Sequence, residues 1–360
     1  MAKSKNKSAN SFFVLALTAL FFLTTTAESS ENQNRLTSYD SVPVLAAGEQ
    51  VIAGGIPFGV RLHTDGVLVL NVCDVWNGKE NKRPASDAGV RRGDLVTTVN
   101  GEKIRDASHF CDLCGKSGGA GLKLGILRDG KPKTVTVWPE PNPDGDYKLG
   151  MWVKDSAAGI GTVTFIDPET GVFGGLGHGI TEASTGELLP LAYGTSENVA
   201  LTGIHAGRAG VPGELQGRFT GEKSGKLLKN TATGVYGLFS EVPSSVSEER
   251  FPIGKAEDVH EGKAVMITSV ADGKRECYEI SISELCTSAK QKNFTVTVTD
   301  ERLLAETGGI VQGMSGSPII QDGKLIGAVT HVLIGDPRSG YGIFIGNMLA
   351  ELESFDSAAA

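Results

Sequence analysis

The sequence predicts a mostly β protein made of two folded units behind an N-terminus of export type. Three observations carry that reading. The 360 residues include 48 glycines while aromatic residues make up only 6%, a composition that suits many short strands joined by tight turns. Apolar and polar residues alternate in short runs from Gln50 onward, the period of a half-buried strand. One proline cluster, Pro139-Glu140-Pro141-Asn142-Pro143, interrupts the runs where neither a helix nor a strand ladder can continue. With domains of roughly 100 to 200 residues, the length also favours two. The boundaries expected are 48–139 for the first unit and 146–360 for the second.

The N-terminus carries Lys3, Lys5 and Lys7, then an uncharged apolar run from Phe12 to Leu23, then small residues to Ala27. This is the anatomy of an export segment with its positive charges on the cytoplasmic side. The run is shorter than the ~20 residues of a spanning helix, so a cleaved signal peptide and a retained anchor both stay open for residues 1–27. Residues 28–47 are polar and aperiodic and read as a tether. The net charge of -8 contains no basic stripe, which argues against a nucleic-acid partner. The five cysteines leave at least one without an intramolecular partner. Cys111 and Cys114 have metal-ligand spacing, and a zinc site with His109 is one reading. No second pair completes it, and two small buried hydrophobes one helical turn apart are the expectation. No cofactor is implied.

Strand-like runs in the first unit cover 59–63, 66–70, 94–99, 122–127 and 134–137, punctuated by Asn100-Gly101 and Asp129-Gly130, which accept the positive φ of hairpin turns. The run Ile56-Pro57-Phe58-Gly59-Val60, followed by Ala88-Gly89-Val90-Arg91-Arg92-Gly93-Asp94-Leu95-Val96 and Asn100-Gly101-Glu102, resembles a PDZ domain over about ninety residues. That resemblance implies that Ile56, Pro57, Phe58, Gly59 and Val60 form a carboxylate-binding loop beside a sheet edge to which an extended peptide adds as a strand.

In the second unit, β patterning runs through 161–166, 264–270, 294–299, 318–320, 325–332 and 341–345. Periodicity alone leaves paired barrels and a sandwich equally open. The chemistry lies in Gly313-Met314-Ser315-Gly316-Ser317-Pro318. A serine nucleophile needs a tight turn, a base for its proton and backbone N–H groups aimed at the oxyanion. The flanking glycines permit that turn, and Ser315 is the nucleophile. The loop resembles that of chymotrypsin-like peptidases, which implies a double β-barrel and an oxyanion hole made by the N–H groups of Gly313 and Ser315. The base near neutral pH is a histidine, chosen among His63, His109, His178, His205, His260 and His331. His178, between Gly177 and Gly179, is the best placed. His205 competes, because it too lies among glycines, and His331 alternates with apolar residues as an ordinary strand position does.

Gly177-His178-Gly179, then residues 307–319 and Gly327-Ala328-Val329-Thr330-His331-Val332, together look like the stage IV sporulation protein B (SpoIVB) family of serine peptidases. The resemblance implies His178 as general base, Ser315 as nucleophile and Asp300 as the carboxylate orienting His178. Asp300 precedes Ser315 by 15 residues, closer than the acid stands in chymotrypsin-like chains. It further implies an endopeptidase of endospore formation, exported from the forespore to the intermembrane space. The expected partners are a membrane-bound regulator of an intramembrane metalloprotease as substrate, the enzyme's own N-terminal segment, and the membrane. A second reading is a non-catalytic, membrane-tethered PDZ adaptor that binds peptide tails.

Overall fold

A computed structural model describes residues 45, 46, 48–183, 186–270 and 273–353. The expected export segment and nearly all of the tether lie outside these residues. Among the described residues, no helix is long and apolar enough to cross a membrane.

Most of the described strands close into two six-stranded barrels. In the second, the strands Gly262–Ser269, Arg275–Ser283, Phe294–Val298, Asp336–Phe344, Lys324–Leu333 and Pro318–Gln321 close a ring in that spatial order. Alternation puts Met266, Ile280, Ile282, Val296, Val298, Ile319 and Val329 inside, around Phe294 and Phe344. The first barrel closes through Pro57–Val72, Met151–Ile166, Val172–Gly175, Gly234–Phe239, Glu214–Thr231 and Tyr193–His205. Its core holds Phe58, Val60, Val163, Phe173 and Val235.

The ring of the first barrel takes its opening strand from the first unit read in the sequence. Residues 57–63 pair with 156–162 on one side, and 59–63 pair with 193–197 on the other, so this run closes the first barrel. The same two strands then run on beyond the barrel, where 68–72 pair with 151–154 and 67–68 pair with 95–96. A small sheet is completed there by Leu95–Val99, Leu122–Arg128 and Lys131–Val137, packed with the helix Ala107–Gly115 over Val67, Val96, Phe110 and Leu124. The PDZ module is therefore inserted between two strands of the first barrel and does not simply precede it. The proline cluster lies inside this insertion: Glu140–Pro141 pairs with Tyr147–Lys148 in a two-stranded ribbon just before the strand Met151–Ile166.

Packing between the barrels is polar as well as apolar. The half-buried Arg275 donates from Nε to the Gly54 carbonyl at 2.7 Å and from Nη2 to the Ala53 carbonyl at 3.2 Å, and Ser269 donates to the Gly55 carbonyl at 2.9 Å. These bonds satisfy carbonyls that lie between the strand Gln50–Ala53 and the barrel strand that follows it.

Candidate active site

The serine loop connects the short helix Glu301–Thr307 to the strand Pro318–Gln321 and lies against the first barrel. Gly313 and Gly316 take φ of 99° and 98°, a left-handed region that favours glycine. Three carbonyls of the loop are held by one strand. The Thr162 N–H donates to Ser315 at 2.9 Å, and the hydroxyls of Thr162 and Thr164 donate to Gly313 and Gly316 at 2.7 Å each. A Cβ on Gly316 would lie 2.0 Å from the Thr162 carbonyl oxygen, so only glycine fits there.

The amides of the loop divide into two sets. Those of Gln312, Met314, Gly316 and Ser317 donate to Gly213, Val311, Val329 and Met314. Those of Gly313 and Ser315 donate to no described group, so the two N–H groups expected to bind an oxyanion are the two left available. Ser317 is fully buried, bonded to Thr268 and to the Met314 carbonyl, which leaves Ser315 as the accessible hydroxyl.

His178 follows the strand Val172–Gly175 after two residues with positive φ, Leu176 at 66° and Gly177 at 64°. The Leu176 N–H donates to Thr162 at 3.1 Å, so one residue of the Met151–Ile166 strand anchors both the histidine turn and the serine loop. Neither neighbouring glycine tolerates a side chain: a Cβ would lie 2.9 Å from Thr330 at Gly177 and 2.4 Å from the Thr231 carbonyl oxygen at Gly179. Asn230 fixes the segment beyond, accepting from the Ile180 N–H and donating to the carbonyls of Ile180 and Leu189. The sequence reading had not singled out Asn230, because nothing local marks it.

Nδ1 of His178 lies 2.9 Å from the Gly179 carbonyl oxygen. With the proton on Nδ1, Nε2 is left with its lone pair, the form a general base needs. Burial lowers the pKa of this imidazole, with the Gly179 carbonyl partly opposing, and so favours its neutral form. Ser315 meets the same wall: its hydroxyl donates to the Thr330 carbonyl at 2.5 Å, and the ring of the next residue, His331, packs on His178 with centroids 4.7 Å apart. The structure thus gathers His178, Ser315 and the Gly313 and Ser315 amides at the junction of the two barrels.

Two expected site assignments change. Asp300 caps the helix Glu301–Thr307, and its carboxylate accepts from the Arg302 guanidinium and from the N–H groups of Arg302 and Glu279. Arg302 foremost holds its pKa below the ordinary value, against a smaller opposing effect of burial. Both oxygens are engaged there, while the orienting position at Nδ1 of His178 is occupied by a backbone carbonyl. Asp300 is a capping residue in this structure and does not orient the base. The second change concerns Ile56, Pro57, Phe58, Gly59 and Val60, expected as a carboxylate-binding loop. Residues 57–60 are paired on the barrel side with 159–162, the Ile56 carbonyl accepts from Val163, and Ile56, Phe58 and Val60 are buried. The structure places residues 57–60 in the barrel ladder and not in a loop beside a free sheet edge. Residues 151–155 present a different edge: among the described residues they pair with a strand on one side only, beside the helix Ala107–Gly115, whose first N–H donates to Asp155 at 2.9 Å.

The other histidines have structural partners. His205 stands 3.3 Å from Glu214, His260 2.8 Å from Asp322, and His63 stacks on Tyr193. His109 accepts from the Arg105 N–H at Nδ1 and reaches Glu102 through Nε2, so both ring nitrogens are engaged. Cys114 is buried beside Phe110 with its thiol pushed up to about 12, chiefly by burial, whereas Cys111 one turn earlier is exposed.

Paired β-barrels with a serine, a histidine and two available amides at their junction, and a PDZ module inserted in one barrel, have the layout of a serine peptidase. Residues 145–349 match the SpoIVB peptidase S55 family, and residues 54–138 match the PDZ domain. The chain belongs to the SpoIVB peptidase family. Among curated proteins it is similar to the "Probable periplasmic serine endoprotease DegP-like" of Bartonella henselae, 31% identical over 111 residues, covering 25% of this chain and 22% of that one. It is also similar to the zinc metalloprotease RasP of Bacillus licheniformis, 28% identical over 101 residues, covering 28% of this chain and 22% of that one. The chain spans about a fifth of the length of these relatives. Among solved structures, the active form of the Rv3671c protease from M. tuberculosis aligns over 55% of this chain and 74% of that chain, with 14% identity and a TM-score of 0.33. The HtrA-type protease AlgW with a decapeptide aligns over 61% and 59%, with 12% identity and a TM-score of 0.33.

Proposed function

We propose that this peptidase acts outside the cytoplasm during endospore formation, exported from the forespore into the intermembrane space. There it cleaves a membrane-bound regulator and so releases an intramembrane metalloprotease that activates a late sigma factor. Self-cleavage in the N-terminal segment frees it from the membrane. The reading rests on SpoIVB family membership and on the lysine-flanked apolar N-terminus. The observation that carries the catalytic part is the convergence of Ser315 and His178 on residues 330 and 331, with the amides of Gly313 and Ser315 left available. In the reaction His178 takes the Ser315 proton at Nε2 as Oγ attacks the peptide carbonyl. The two amides receive the developing oxyanion, and the proton then passes to the leaving amine. For this the Ser315 hydroxyl turns from the Thr330 carbonyl toward the imidazole.

The regulator or the enzyme's own segment is held by the PDZ module, which we place at the edge formed by residues 151–155, where an extended tail adds as a further strand. The full-length protein tests the reading when incubated with a fluorophosphonate probe and with the exported part of a candidate regulator. Wild type should be labelled and should cut, and Ser315→Ala and His178→Ala should do neither. The resting bond from Ser315 to Thr330, rather than to His178, favours one other reading, a non-catalytic adaptor. It is upheld if Ser315→Ala supports every cleavage seen with wild type.

A further inference from the structure

The two amides left available in the serine loop are each one half of a peptide group whose other half is held. A trans peptide is planar, with its N–H and C=O pointing in opposite directions, so a bond that fixes one residue's carbonyl also fixes the N–H of the next. The Met314 carbonyl accepts from the Ser317 N–H at 2.9 Å and from the Ser317 hydroxyl at 2.7 Å, which sets the Ser315 N–H from within the loop. The Gly313 N–H is set from outside it. Its peptide partner, the Gln312 carbonyl, accepts at 2.8 Å from the N–H of Leu215, in the strand Glu214–Thr231 of the first barrel.

This bond belongs to a wider contact, in which the hairpin joining Tyr193–His205 to Glu214–Thr231 lies on the second barrel. The Gly207 N–H donates to Thr307 and the Gly210 N–H to Ile334, while Gly213 accepts from Gln312, all at 2.8 Å, so the hairpin binds both backbone groups of Gln312. The Leu215 side chain is buried in the second barrel's core, and a Cβ on Gly313 would lie 3.0 Å from it. Beyond Gly313, its carbonyl accepts from the Thr162 hydroxyl and the Met314 N–H donates to Val311. Of the four backbone groups in the two peptides that meet at Gly313, only its own N–H is without a described partner. We propose that Leu215 is a positioning residue, whose N–H holds the Gln312–Gly313 peptide with the Gly313 N–H turned to the developing oxyanion, so that the first barrel completes the oxyanion site on the second. Glycine at 313 tolerates either orientation of this peptide, and Gln312 is exposed to water, so the bond from Leu215 decides between them. The reversed peptide would present an oxygen to the oxyanion in place of a donor.

The inference rests on the serine-peptidase reading, and the two can fail separately. Saturation labelling of the full chain with a fluorophosphonate yields a limiting rate and a half-saturating concentration. Absence of labelling in wild type would remove the peptidase reading and this inference with it. With wild type active, Leu215→Pro, which lacks the N–H, should lower the limiting rate about 100-fold or more, the scale of losing one oxyanion donor. The half-saturating concentration should change little, because the donor acts as charge develops. Leu215→Met keeps the N–H and a side chain of similar volume, and should label within a few-fold of wild type. If Leu215→Pro loses its cooperative melting transition, the α-hydroxy acid counterpart of leucine introduced at 215, which keeps the side chain and replaces only the N–H, is measured in its place and should show the same fall in rate. A proline or hydroxy-acid protein that labels at the wild-type rate overturns the proposal. So does a Leu215→Met rate as low as that of Leu215→Pro, which would make the role one of side-chain packing alone.

Discussion

The two barrels have the same number of strands but very different sequence layouts. The second is contiguous: its strands follow one another from Gly262 to Phe344, interrupted only by turns and the short helix that leads to the serine loop. The first opens with Pro57–Val72 and cannot close until Met151–Ile166 returns, after the whole PDZ module has intervened. A contiguous barrel can be lost or kept as a block, whereas an interrupted one depends on both sides of its insertion.

The largest effect should come from testing that dependence directly. Deleting 50–138 removes the strand paired with both 156–162 and 193–197, and should abolish cooperative thermal unfolding together with probe labelling. Replacing 73–149 by a short turn removes most of the module while sparing the barrel strands, and should leave both measurable. If the first deletion melted normally and still labelled, the interrupted-barrel description would be wrong. Next in size, Gly316→Ala sets a methyl 2.0 Å from the Thr162 carbonyl oxygen at φ 98°. It should cost about 3 kcal/mol or more in denaturant unfolding and labelling should fall sharply. Arg275→Met, which frees the carbonyls of Ala53 and Gly54 where the barrels meet, should destabilise by about 2 kcal/mol.

Asp300→Ala sharpens the contrast between cap and triad member. As a helix cap its loss should cost about 1 kcal/mol and leave the labelling rate within a few-fold, whereas loss of a triad acid costs ~10⁴ in rate. The smallest effect concerns pH. His331 has a folded-state pKa of about 4, below its ordinary 6.5, so the folded form binds the proton less readily than the unfolded form. Its contribution to stability is complete above pH 6.5 and is lost as pH falls from there toward 4. The wild-type melting temperature should therefore drop more steeply across this interval than that of His331→Phe.

The parts of the site that could be read in the sequence were those whose chemistry is local. Ser315 announces itself because the glycines that give its loop its shape are its own neighbours, and His178 because Gly177 and Gly179 leave it no room for bulk on either side. Asp300 carried no comparable signal. An orienting partner is defined by distance in space, and the local pattern Asp300-Glu301-Arg302 spells a helix cap as readily as a catalytic acid. His331 was read as a strand position and is one, but what lies across from it depends on how a turn in the other barrel folds. That the run 57–72 serves both the barrel and the PDZ sheet is hidden for the same reason. Residues 56–60 alternate as well for a barrel as for a peptide-binding module, and only the partner strands, a hundred residues downstream, decide between them.

The strand Met151–Ile166 has its foot in one module and its head in the other. Its first residues form the open margin of the PDZ sheet, and Thr162 and Thr164 near its far end carry the serine loop and the histidine turn. Two irregularities in its pairing with Pro57–Val72, between Trp152 and Val153 and between Lys154 and Ser156, lie toward the foot. Were a tail to dock at the foot as proposed, both kinks would stand between it and the threonines that hold the serine loop.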